Sequence, residues 1–208
     1  MRRKALFAVA IAVTILACYG IAKHWPAGKT AQMTAVSDGT AQPADEAGEV
    51  ARKLAVLDEI FLSKNDNDPR LDTEFNNISP ELGNALRSKY RALPRESLNE
   101  RGTIVFLLRK NMSREDWAFL KQVAAEPPCL SLADCAKGEK LTGGHRELGL
   151  EISLSYPAMV ALKQAELALT EEQSAQAALE VIRAGKTSKA PVVADTAARL
   201  EAKFPPAR

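Results

Sequence analysis

The stretch SPELGNALRSKYRALPRESLNERGTIVFLLRKN, residues 79–111, carries two helix starts and apolar residues at helical spacing. Ser79 followed by Pro80 is typical of an N-cap residue and the first helical position. Apolar residues then recur three or four positions apart, at Leu82, Leu86, Tyr90 and Leu93. This spacing puts them on one face, so the first half of the stretch predicts an amphipathic helix.

The second half of the stretch begins with Ser97 and Glu100, which fit a capping box. The segment TIVFLL, residues 103–108, follows and is apolar on every side. We expect it to be the second half of a helix that neighbours cover on both faces. A central strand is the alternative for this segment.

Similar signals return along the rest of the chain. Further helix starts are predicted at three pairs, Asp68 with Pro69, Ser113 with Asp116, and Thr170 with Gln173. Further apolar stripes are Trp117, Leu120 and Ala124; Leu148, Ile152, Tyr156 and Met159; and Val193, Ala197, Leu200 and Phe204. Pro157 should kink a long helix after Tyr156, because its ring clashes with the preceding turn. The body of the chain is therefore predicted to be all-α.

The helix starts are regularly spaced. Ser79 and Ser113 are 34 residues apart. Ser113 and Thr170 are about 38 residues apart once a 19-residue insertion, residues 126–144, is left out. A helix pair that recurs at such intervals is typical of an α-solenoid.

Two segments resemble units of HEAT-like helical repeats. They are residues 79–111 and SKAPVVADTAARLEAKF, residues 188–204, in which Ala and Leu would pack inward. The resemblance covers residues 79–204. It implies a scaffold or adaptor that binds partners along a curved helical face, with no catalytic residue and no cofactor. An irregular bundle of seven or eight helices fits the same pattern.

The segment MRRKALFAVAIAVTILACYGIAKHW, residues 1–25, has a basic start followed by an apolar run over residues 5–22. Its eighteen residues at about 1.5 Å each span about 27 Å, enough for a bilayer core. We expect a signal anchor with a cytoplasmic N-terminus, because the basic residues precede the apolar run. A signal peptide cleaved after Ala22 and a lipoprotein modified at Cys18 are the alternatives. All three put residues 26–208 outside the cytoplasm, in the periplasm or secreted.

The remaining chain divides into a linker and a domain. Residues 26–44 are rich in Ala, Thr, Gly, Ser and Pro, which predicts a flexible linker. Residues 45–208 predict a helical extracytoplasmic domain, interrupted by the insertion at residues 126–144.

The charge balance argues against nucleic-acid binding. The chain has a net charge of +2, but four of its 28 basic residues flank the N-terminal apolar run, which leaves 24 against 26 acidic residues. Nucleic-acid binding requires a clustered positive field. The nearest to such a cluster is Arg87, Lys89, Arg91 and Arg95, and we expect these residues to form a solvated helix face.

The segment EPPCLSLADCAKG, residues 126–138, contains Cys129 and Cys135, two of the three cysteines. Outside the cytoplasm two such thiols normally oxidise, so we expect a disulfide rather than free thiols. A zinc site with His145 and Asp134 is the third possibility. Structural zinc ligands, however, usually pair two to four residues apart, and these cysteines are further apart.

Asp66, Asp68 and Asp72 suggest a calcium site. An EF-hand loop that begins at Asp66 needs glycine where Leu71 stands and glutamate where Asn77 stands. We therefore expect a polar turn here rather than a metal site.

Enzymatic chemistry has little support in the sequence, which lacks the motifs of serine hydrolases, zinc proteases and phosphate-binding loops. His145 is the only histidine of the predicted domain. The candidates for acid–base hydrolysis of cell-wall sugars are Glu126, Glu139, Glu147 and Glu151.

The sequence thus predicts a non-catalytic, membrane-tethered scaffold or protein-binding module outside the cytoplasm. We expect Leu130 and Leu132, in the cysteine loop, to contact a protein partner. The alternative is a helical envelope hydrolase or a metal-dependent enzyme that uses Glu147 or His145.

Overall fold

The computed structural model describes residues 43–110, 112–138 and 148–204. Within these ranges the chain forms nine helices and no strand. They are α1 (Pro43–Ser63), α2 (Arg70–Thr73), α3 (Pro80–Ala92), α4 (Leu98–Leu107), α5 (Arg114–Ala124), α6 (Leu148–Leu154), α7 (Tyr156–Ala168), α8 (Ala175–Lys186) and α9 (Pro191–Lys203). The prediction of an all-α body is confirmed for this part of the chain.

Several predicted features lie outside the described residues: the anchor with Cys18, nearly all of the linker, and the pair His145 and Glu147. The helices that are described include none with the length and apolar character needed to span a bilayer.

Two predicted helix starts are confirmed. The Ser79 side chain accepts a hydrogen bond from the Leu82 amide at 3.2 Å, with Pro80 in the first turn of α3. At the start of α5, Ser113 and Asp116 exchange both bonds of a capping box. These caps satisfy backbone amides that have no partner within their own helix.

The other predicted starts differ from the structure. Ser97 precedes α4, but its side chain makes no capping bond, because its ψ of 55° departs from the extended geometry of an N-cap. The Thr170 hydroxyl donates backward to the Leu167 carbonyl, and α8 begins only at Ala175. Asp68 accepts from the Arg70 amide, but the helix it starts is a single turn.

The predicted kink at Pro157 is a complete break between two helices. α6 ends at Leu154 and α7 begins at Tyr156, so Pro157 lies in a first turn, where its missing N–H is not needed. The predicted stripe is therefore divided between two axes, and Leu148 is 57% exposed.

The segment TIVFLL is helical, as expected, and the strand alternative is wrong for it. It occupies the end of α4, where Ile104, Val105, Leu107 and Leu108 are buried. α4 packs against both α3 and α7, while α5 packs against α7 and α8. The core therefore covers the apolar end of α4, and its first turn is left beside the cysteine loop.

α7, α8 and α9 approach one another closely at Gly185. A β-carbon added to Gly185 would lie 2.9 Å from Leu162 Cδ2 and 3.2 Å from Ala197 Cβ. A side chain here would require Leu162 to shift and Ala197 to move by a few tenths of an ångström, so glycine suits this close approach of the three helices.

The prediction that Arg87 belongs to a solvated face is wrong. Arg87 is only 7% exposed, and its guanidinium pairs with the carboxylate of Asp116, which is 4% exposed. Its second amino group donates to the side chain of Asn84. Arg87 therefore joins α3 to the start of α5.

Candidate functional site

An open groove of about 570 Å³ lies where the end of α1, the first turn of α4 and the cysteine loop meet. We call it the loop groove. Its apolar lining residues are Ile60, Phe61, Pro94, Leu98 and Leu132. Its charged lining residues are Lys64, Asp66, Glu96 and Glu100. This volume is within the range of protein ligand sites, about 300–1,000 Å³.

The cysteine loop, residues 126–138, forms one rim of the groove. Cys129 and Cys135 lie at disulfide distance, with their Cα atoms 4.0 Å apart, and both are buried. This is the pairing that the sequence predicted. The two sulfur atoms face each other, and among the described residues no group of His, Cys, Asp or Glu is arranged to hold a metal ion.

Hydrogen bonds from their backbone amides hold the paired cysteines against the helices. The Cys129 amide donates to the Leu154 carbonyl at 3.0 Å, and the Cys135 amide donates to Glu96 Oε1 at 2.9 Å. Leu98 and Leu154 pack against the two cysteines as a small apolar cluster. The loop is thus held between the start of α4 and the end of α6.

Glu96 is the charged residue that fixes the loop on the groove side. The amide of Cys135 donates to its carboxylate, and this bond lowers the pKa of Glu96 below its ordinary value. Its partner is 39 residues away, so no local pattern indicates the contact.

Lys64 and Glu100 form an ion pair in the groove, with the Lys64 ammonium 2.5 Å from Glu100 Oε1. Burial raises the pKa of Glu100, but the hydrogen bond from Lys64, a hydrogen bond from the Glu100 backbone and the charge of Lys64 outweigh it, so the pKa is lowered overall. Lys64 has a φ of 55°, the left-handed region that residues with a β-carbon rarely adopt. This backbone conformation directs the chain away from the end of α1.

Asp66 is an exposed carboxylate of the groove, as is Glu96. Asp66 makes no hydrogen bond or ion pair within the described part of the chain. The other two aspartates considered for calcium are paired with arginines: Asp68 with Arg70, and Asp72 with Arg109. Two of the three carboxylates considered for calcium are thus already paired with arginines.

The two leucines predicted to contact a partner are both exposed, Leu130 by 54% and Leu132 by 57%. Only Leu132 lines the loop groove. Leu130 lies outside it, and its amide donates to the Cys135 carbonyl within the loop. Of the two leucines predicted to contact a partner, Leu132 is thus the one that lies beside the loop groove.

Glu126, one of the acid–base candidates, belongs to a partly buried network at the start of the loop. Tyr90 donates its hydroxyl to Glu126 Oε2 at 3.0 Å, and Arg101 donates to the same oxygen at 2.9 Å. The Arg101 guanidinium also lies over the Tyr90 ring, 4.1 Å from its centre. This network joins α3, α4 and the end of α5.

Alkylation of the folded full-length chain without reductant is expected to leave Cys129 and Cys135 unlabelled. The disulfide blocks both sulfurs, and after reduction and unfolding both should react. Mass spectrometry of the peptide that contains residues 126–138 measures this. If both cysteines are labelled when the chain is unfolded without reductant, they are free thiols that were only buried, and the pairing is contradicted.

Comparison of the chain with known protein families, with curated protein sequences and with solved structures gave no match.

Proposed function

We propose that this chain is a non-catalytic binding module, tethered to the membrane by residues 5–22, that binds a protein partner outside the cytoplasm at the loop groove. The observation that carries the proposal is the groove itself, with the exposed Leu132 on a rim that a disulfide fixes. A rigid apolar rim loses little conformational entropy when a partner covers it.

We propose a short HEAT-like solenoid as the architecture of this module. α4 packs against α7, α5 packs against α8, and α7 packs against α8. In a solenoid, the first helix of one pair contacts the first helix of the next pair, and the second helix contacts the second. α5 also packs against α7, a contact that an irregular bundle gives equally well, so the bundle stays the alternative architecture.

A photo-crosslinking amino acid at position 132 of the full-length chain tests the binding site. We expect a discrete crosslinked adduct with a protein in the cells that produce the chain. Position 167 provides the matched control, because Leu167 is 54% exposed, close to the exposure of Leu132, but lies on α7 outside the groove. Equal adducts at both positions, or none at position 132, would contradict the proposal.

A further inference from the structure

The apolar part of the loop groove offers a surface on which an uncharged side chain could pack. Ile60 and Phe61 approach it from α1, Leu98 from α4, and Leu132 from the cysteine loop. Phe61 is partly buried and Leu132 is mostly exposed, so a partner side chain would cover surface that is now in water. Burial of apolar area is the main source of affinity at such a contact.

The charged part of the groove has an excess of carboxylates. Asp66, Glu96 and Glu100 provide three negative charges against the single positive charge of Lys64. The pKa values of Glu96 and Glu100 are both lowered, so both carboxylates are ionised at neutral pH. The groove therefore attracts a cation and repels an anion.

The carboxylates differ in what they already bind. Glu96 accepts from the Cys135 amide, and Glu100 is paired with Lys64. Asp66, by contrast, is exposed and makes no hydrogen bond or ion pair within the residues that the structure describes. Asp66 is therefore the carboxylate that can accept a new cationic partner without breaking an existing bond.

From this combination we infer that the loop groove binds a partner segment in which an apolar side chain stands next to lysine or arginine. The inference rests on the proposed function and adds the chemistry of the partner. The apolar side chain lies against Phe61 and Leu132, and the cation lies beside Asp66. An acidic segment of the same shape would bring a like charge next to three carboxylates.

Two capped nonapeptides that differ at one position test the inference. Both have a Gly-Ser-Gly segment at each end; the centre is Leu-Lys-Leu in one and Leu-Glu-Leu in the other. We expect the full-length chain in detergent to bind the lysine peptide at least about 10-fold more tightly in calorimetric titration. This preference should shrink between 50 mM and 500 mM salt, because the groove is open to solvent.

Three variants of exposed residues separate the contributions. Asp66→Asn should weaken binding of the lysine peptide by about 3-fold, because it removes the carboxylate that is free to pair. Lys64→Gln should strengthen that binding by about 3-fold, because Glu100 is then released. Glu172→Gln is the matched control: it removes one charge from an exposed residue outside the groove and should change nothing.

The outcomes distinguish this inference from the proposed function. Equal or tighter binding of the glutamate peptide, or weaker binding of the lysine peptide by Lys64→Gln, would overturn the inference. Failure of both peptides to bind at millimolar concentrations would also overturn the inference. The photo-crosslink at position 132 is independent of the peptide charge, so an adduct there would leave the loop groove as a binding site in each of these cases.

Discussion

Replacement of Asp116 by alanine is expected to lower the free energy of unfolding by about 3–5 kcal/mol. Arg87 and Asp116 are both buried and paired with each other. Without Asp116, the Arg87 guanidinium keeps only the Asn84 side chain as a hydrogen-bond partner among the described residues, and the nearby charge of Glu115 compensates it in part. A buried charge that loses its counter-ion is strongly destabilising, whereas the same loss at the surface costs little.

Asp116 also completes the start of α5. The Ser113 amide donates to Asp116 Oδ2 at 2.9 Å, and the Ser113 hydroxyl donates to the same oxygen at 2.8 Å. Loss of a helix cap costs about 1 kcal/mol by itself, so the cap is the smaller part of the expected effect.

Urea unfolding of the full-length chain in mild detergent, followed by circular dichroism, measures the effect. Glu180→Ala is the matched control: Glu180 pairs with Lys121 of the same α5, but both side chains are about half exposed. We expect that change to cost less than about 1 kcal/mol. The double variant Arg87→Met with Asp116→Leu should regain much of the loss, because it removes both charges. A double variant as unstable as the sum of its single changes would contradict a role for the ion pair.

The starts of α3 and α5 could be predicted because their signals are local. Ser79 with Pro80 begins α3, and Ser113 with Asp116 begins α5, so each start is decided within four positions, and both serines act as expected. The all-α body follows from the same kind of pattern, since the apolar spacing of α3 fixes which face is buried.

Contacts between distant residues could not be predicted in this way. Arg87 looks like its basic neighbours on α3, and only the packing of α5 brings Asp116, 29 residues away, against it. Glu96 looks like part of a charged turn, but it holds an amide of the cysteine loop. The pattern of charged residues along a helix does not reveal which of them another helix will cover.

The loop groove is a product of the same long-range packing. Its parts come from the end of α1, the start of α4 and the cysteine loop. The sequence predicted the disulfide because two nearby cysteines lie in a domain expected outside the cytoplasm. It also predicted an accessible Leu132, because this residue lies in the loop between the cysteines. Lys64 and Glu100 are 36 residues apart, so their ion pair required the structure.

Replacement of Tyr90 by alanine is expected to lower the free energy of unfolding by about 3–5 kcal/mol, as for other buried aromatic residues. The ring of Tyr90 is fully buried and stands edge-on to Phe119, with the ring centres 4.9 Å apart. Its removal leaves a cavity. It also removes the cation–π contact with Arg101 and the hydrogen bond that the Tyr90 hydroxyl donates to Glu126. Urea unfolding at pH 7 measures the total loss.

Tyr90→Phe is the control that separates the ring from the hydroxyl. The ring contacts with Phe119 and Arg101 remain, and only the hydrogen bond to Glu126 is lost, so we expect a cost of about 1 kcal/mol at pH 7. A cost as large as that of alanine would show that the hydroxyl, and not the ring, is the main contribution.

The difference between wild type and Tyr90→Phe should also depend on pH. Burial, followed by the charge of Glu126, raises the pKa of Tyr90 in the folded protein. Below about pH 10 the tyrosine is protonated in both the folded and unfolded chains, so it adds no pH dependence. Above about pH 10 only the unfolded chain releases this proton, and the release stabilises the unfolded state of wild type. Tyr90→Phe has no such proton, so its free energy of unfolding does not fall for this reason. We therefore expect the advantage of wild type at pH 7 to shrink in urea unfolding at pH 11, and an unchanged difference would contradict the raised pKa.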